Sequence, residues 1–82
     1  MTEAEIYDYL NSGDEMEFTY NGKRYSITYF SDKEETLISF CEYNQEPVNV
    51  KSVDDLLQTE VDGVSVMEIL KSLTENDDWV VY

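Results

Sequence analysis

The dipeptide Asn21-Gly22 constrains the fold more than any other feature of the chain. Both central residues of a type I′ hairpin turn need φ > 0, and Asn followed by Gly meets that need at least steric cost. A two-residue turn also fixes the register of the strands on either side. Tyr20 then faces Lys23, Phe18 faces Tyr25 and Met16 faces Ile27, all on one side. The alternate side carries Glu15, Glu17 and Thr19 against Arg24, Ser26 and Thr28. One face is apolar and the other wetter, as expected of an antiparallel sheet that packs on one side only.

A second turn is expected over residues 31–34. Closing it as Phe30 opposite Glu35 sets Tyr29 against Thr36, Ile27 against Ile38 and Tyr25 against Phe40. The apolar face then runs on into a third strand, so two independent turns agree on one buried side. Beyond it, Glu46-Pro47-Val48-Asn49-Val50 reads as an extended connection, because Pro47 makes a poor central strand. Trp79-Val80-Val81-Tyr82 reads as a terminal strand added to a sheet edge.

Three helices flank the meander. Thr2…Glu5 is a capping box, with Met1 and Ile6 placed as a hydrophobic staple and Gly13 as the stop. Ser65…Glu68 repeats the device, and Val66, Ile69, Leu70 and Leu73 follow the spacing of one buried helix face. Ser52…Asp55 opens a shorter helix with Val53, Leu56 and Leu57 inward, and Asp62-Gly63 turns between the last two helices. The expected order is α-β-β-β-α-α-β: an α+β fold with a three-stranded antiparallel meander, a C-terminal edge strand and three short helices. Residues 1–82 read as one domain, since 82 residues suit a single core.

The run from Glu42-Tyr43 through Glu46-Pro47 into Lys51-Ser52-Val53-Asp54-Asp55-Leu56-Leu57, then Val61-Asp62-Gly63 and Glu68-Ile69-Leu70, resembles a loose group of short, acidic, uncharacterised bacterial proteins. Its motifs are helix caps and turns, and since no catalytic or binding residue is known for that group, the resemblance implies none here. The element order and acidity also look like those of some phage-encoded anti-CRISPR inhibitors, a likeness of architecture only.

Charge narrows the function classes. There are 19 Asp and Glu against 5 Lys and Arg, a formal net charge of −14. Direct binding to nucleic acid needs Lys and Arg to neutralise phosphates, and anionic membranes need the same. Neither is expected as a ligand. No segment approaches the ~20 apolar residues of a membrane-spanning helix. The acidic Met1-Thr2-Glu3-Ala4-Glu5 lacks the basic and apolar regions of a signal peptide. The single Cys41 cannot pair within the chain, which suits a reducing cytoplasm.

The catalytic inventory is thin. With no His there is no Ser-His or Cys-His nucleophile, and zinc would need Cys or His clusters. Placing Gly63 at the sixth position of an EF-hand loop puts Gln58 first and Ile69 twelfth, both wrong for calcium. Glu15 and Glu17 share a strand face, but a working acid–base pair needs an enclosed pocket. No cofactor or metal and no enzymatic activity is expected.

What remains is surface. Asp14, Glu15, Asp32, Glu34 and Glu35 are expected at one end of the sheet, offset by Lys33. Lys23 and Arg24 fall at the opposite end near Glu42, and Glu75, Asp77 and Asp78 form a second acidic group. Phe30, Leu37, Cys41 and Tyr43 fall on the wetter face. The plain expectation is that a helix or the terminal strand covers them. Otherwise that face is a surface for a dimer or a partner. The candidate partner surface is therefore Asp14, Glu15, Glu17, Asp32, Glu34, Glu35, Phe30, Leu37, Tyr43, Asp77 and Asp78. The leading functional expectation is a non-enzymatic module binding a basic protein. A DNA mimic that inhibits a nucleic-acid-binding protein is the alternative, and a small enzyme or metal-binding protein is the third.

Overall fold

A computed structural model describes residues Met1–Tyr82. The Asn21-Gly22 turn forms as the sequence requires, with φ of 51° and 75° at its two residues. It joins β1 (Met16–Tyr20) to β2 (Lys23–Asp32) with Met16 opposite Ile27, Phe18 opposite Tyr25 and Tyr20 opposite Lys23. β3 (Glu35–Glu42) follows through a two-residue loop that holds Lys33 at φ 59°.

That loop corrects the expected register. Asp32 pairs with Glu35, Phe30 with Leu37, Tyr29 with Ile38, Ile27 with Phe40 and Tyr25 with Glu42. The ladder is displaced by two residues from the expected one because the hairpin closes two residues later. A shift of two keeps every side chain on its expected face, whereas a shift of one would invert them all.

Two short strands complete the sheet. β4 (Val48–Val50) pairs with β3, so the extended connection after Pro47 is an edge strand. Its place at the edge is where a preceding Pro is tolerated. β7 (Trp79–Val81) pairs with β1, setting Phe18 opposite Trp79 and Met16 opposite Val81. The sheet order is β4-β3-β2-β1-β7, antiparallel at every pair whose register is defined.

The helices form where their caps lie. α1 (Glu3–Asn11) has the complete Thr2–Glu5 capping box. The same bond holds the Glu5 carboxyl below its usual pKa, since the Thr2 backbone N–H and hydroxyl both donate to the charged form. α2 (Val53–Gln58) starts at Ser52, which accepts from the Asp55 N–H at 3.0 Å. α3 (Val66–Ser72) starts at Ser65, which accepts from Glu68. Between α2 and α3, β5 (Glu60–Val61) and β6 (Val64–Ser65) make a minimal hairpin around Asp62-Gly63. The Met1 amino group donates to the carbonyls of Leu70 and Leu73, occupying acceptors that the end of α3 leaves free.

All 14 buried residues belong to one cluster. Met16, Phe18, Tyr25, Ile27, Ile38 and Phe40 come from one side of the sheet, and the rest come from or directly follow the three helices. Phe18, Tyr25 and Phe40 form a three-ring cluster, with ring centres 5.5 Å apart from Tyr25 to each of the others and 6.3 Å from Phe18 to Phe40. The fold is thus two layers, helices on one face of a five-stranded sheet. No helix is long and apolar enough to cross a membrane.

Candidate functional site

The pleat that buries Phe18 and Ile27 turns their neighbours outward, and no helix meets them there. This corrects the expected covering of the wetter face. The helices gather on the core side, and β7 widens the sheet instead of shielding it. Phe30 stays 39% exposed, Val80 37% and Tyr82 67%. An uncovered sheet face with apolar groups on it is the feature to explain.

Register places each group. Phe30 and Leu37 are cross-strand partners near the β2–β3 loop. Val80 lies opposite Glu17, and the Tyr82 N–H donates to the Glu15 carbonyl at 2.8 Å. β1 separates β7 from β2, so the two apolar flanks stand two to three strand spacings apart, about 10–14 Å across the sheet, and are offset along it by a few residues. Glu15 and Glu17 run between them. Thr28, Ser26 and Ser39 make the centre small and polar.

Arg24 is the cation of this face, and it is already engaged. Its Nη1 lies 3.0 Å from an Asp78 carboxylate oxygen and donates to the Thr19 hydroxyl at 3.1 Å. Its Nε is 3.8 Å from Glu17. The Tyr82 hydroxyl donates to Glu17 as well, and that bond raises the phenol's pKa above its ordinary value. The cluster ties the two residues that flank β7, Asp78 and Tyr82, to side chains of β1 and β2.

The expected acidic group at the sheet end is present but stepped. Asp14 and Glu15 lie close enough to Tyr29 to act on it. Burial first, then these two carboxylates, push its hydroxyl up to about 12. Asp32, Glu34 and Glu35 sit on the β2–β3 hairpin tip, which overhangs by about 10 Å, three residues of strand beyond Tyr29. Glu35 meets Lys51 at 3.7 Å, a pairing with a residue from beyond β4. The second acidic group divides. Asp78 belongs to the Arg24 cluster, and Asp77 accepts from the Thr74 N–H at 2.7 Å, bracing the turn before β7. Tyr43 stands apart, 73% exposed, beyond β3 and beside Lys23 and Glu42.

In all, only four of the 19 carboxylates have a cation within 4 Å. The remainder lie along α1 and in the first turns of α2 and α3, just before β1, on the hairpin tip, before β4, around β5 and in the turn before β7. No group of three His, Cys, Asp or Glu is placed to hold a metal ion. Sequence reasoning missed the Arg24 cluster, because its members come from β1, β2 and the approach to β7. It also missed a cleft beside β5, lined by Tyr25, Phe40 and Val48 and edged by Glu42, Glu46, Glu60 and Asp62.

Comparison with known proteins finds no matching family model, no matching curated protein and no matching solved structure.

Proposed function

We propose that this chain is a small non-enzymatic module that binds a basic protein partner on the helix-free face of its sheet. One observation carries the reading. The face leaves Phe30 and Leu37 on one flank and Val80 and Tyr82 on the other, with Glu15 and Glu17 between them. Apolar anchors around Glu15, which has no cation within 4 Å, and Glu17, which shares Arg24 with Asp78, suit a partner that brings Lys or Arg to the centre.

Size sets the strength. Five strands at about 4.8 Å and six residues at about 3.3 Å give a face of roughly 480 Å². A stable interface takes about 800 Å² per partner, so this contact is weak and transient unless the hairpin tip joins it. Net charge then matters through the encounter rate, which falls with salt. A second copy of the chain is the poorer occupant, because both surfaces carry the same excess of carboxylates. Phosphate mimicry requires ordered rows of charge, and the carboxylates here are distributed over three helices and several strands. The reading places the module in the cytoplasm, where Cys41 stays reduced.

The test is affinity capture from the source cells at low ionic strength, repeated at high salt. The wild type is compared with Phe30→Ser/Leu37→Ser and with Glu15→Gln/Glu17→Gln. A basic protein is expected on the wild type, reduced on both variants and released by salt. Identical retention by all three would remove the face from consideration.

A further inference from the structure

A cleft of about 280 Å³ opens at one end of the core, on the helix side of the sheet. It lies away from the helix-free face. Its floor is Tyr25 and Phe40, whose rings stack nearly parallel at 2°. Val48 of β4, itself 47% exposed, lines one side, and Val61 of β5 lines another. An alkyl stem lying there would leave water for apolar walls.

The mouth has the opposite character. Its charged groups are Glu42, Glu46, Glu60 and Asp62. Two of these are fixed in place. The Tyr25 hydroxyl donates to Glu42 at 3.3 Å, and Asp62 sits in the β5–β6 turn at φ 53°. Burial, then Glu42 and Asp62, raise the pKa of Tyr25, so the carboxylate field reaches the cleft floor. Lys23 approaches Glu42 at 3.5 Å from an exposed position. Glu46, Glu60 and Asp62 have no cation within 4 Å. These carboxylates ring the mouth without converging as metal ligands do. That arrangement fits a broad, delocalised cation better than a point charge.

We infer that this cleft receives an arginine side chain from a basic protein segment. Charge complementarity at the mouth and apolar, aromatic walls inside together select it. A guanidinium is planar, weakly hydrated and rich in donors, so several separated carboxylates satisfy it at once. Its methylene stem packs on apolar surface, which Val48 and Val61 offer at the sides of the cleft. The site is independent of the helix-free face, and either can fail alone.

The experiment is amide chemical-shift mapping at low ionic strength with N-acetyl-arginine N-methylamide. The neutral citrulline isostere and the lysine counterpart are titrated in parallel. The arginine probe is expected to move amides of Tyr25, Phe40, Glu42, Val48 and residues 59–62, the citrulline probe none of them, and the lysine probe the same set less tightly. Glu46→Gln/Glu60→Gln/Asp62→Asn is expected to raise Kd for the arginine probe about tenfold. All three positions are exposed, and Asn tolerates the φ of Asp62, so the fold should hold; unchanged shifts elsewhere verify it. Glu17→Gln on the other face should leave this titration as it is. A response spread over the whole acidic surface, equal binding of citrulline or of lysine, or a triple variant that binds arginine normally would overturn the inference.

Discussion

Replacing Arg24 by Ala should weaken the fold and strengthen the binding of a basic ligand, two effects of opposite sign from one substitution. The side chain makes two ion pairs, at 3.0 Å to Asp78 and 3.8 Å to Glu17, and one hydrogen bond to Thr19. The guanidinium is 33% exposed and Asp78 is 76% exposed, so solvent screens both pairs. Exposed pairs contribute about 0.2–1 kcal/mol each, and the hydrogen bond from the charged but solvent-screened guanidinium about 0.5–1 kcal/mol. The loss should be about 1–2 kcal/mol, including the repulsion of Glu17 and Asp78 once the cation between them is gone. A domain of this size has roughly 4–12 kcal/mol in total, and Tm should fall by about 5–15 °C. Urea denaturation followed by tryptophan fluorescence measures the first effect, because Trp79 lies in β7, the strand the cluster retains. Titration of an oligolysine peptide at low salt measures the second, expected as about a two- to fivefold tighter Kd. Both differences should shrink at about 1 M salt, where the Debye length is about 3 Å. Unchanged stability would show that the cluster is incidental. Weaker peptide binding would show that Arg24 itself contacts the partner, refuting the assignment of the face to cations.

Four further outcomes follow from the fold. Phe18→Ala removes a fully buried ring from the three-ring aromatic cluster and should cost about 3–5 kcal/mol, read as a drop in the urea midpoint. Gly22→Ala should cost about 1–2 kcal/mol purely through backbone conformation, since φ is 75° and nothing lies within 4 Å of the added methyl. Tyr29→Phe loses the 3.1 Å hydrogen bond to the Leu10 carbonyl, about 1 kcal/mol at neutral pH by thermal melting. The folded Tyr29 pKa lies above the ordinary 10.0, at about 12, so its contribution is complete below pH 10 and lost as pH rises through about 12. Stability measured across that window should therefore fall less steeply in Tyr29→Phe. Raising ionic strength from about 0.01 M to 0.15 M shortens the Debye length from about 30 to 8 Å and should raise the Tm of the wild type, because few carboxylates are paired.

The parts of the fold that are local in sequence are legible in it. The Asn21-Gly22 turn needs only its own two residues, and the helix starts at Thr2, Ser52 and Ser65 are satisfied three residues later. The β2–β3 loop was less legible because Lys33 adopts φ 59°, a conformation that Lys does not advertise. The faces were still right, since the displacement was even. The candidate site depends on pairings that no spacing announces. Arg24 reaches Asp78 because β7 returns beside β1, and Glu35 reaches Lys51 because β4 joins the sheet at the far edge. Glu60 and Asp62 look like ordinary turn residues until the hairpin that carries them is set beside Tyr25 and Phe40.

With its entire hydrophobic interior hung from one side, the sheet separates folding from display. Substitution at Ser26, Thr28, Phe30, Leu37, Ser39 or Val80 alters what the outer side offers without repacking anything beneath it. Under the proposed function, such a scaffold can change its binding target one residue at a time, each change nearly neutral for persistence of the globule. The positions free to diversify together are those of a single pleat parity, and they carry the molecule's capacity to acquire a new specificity.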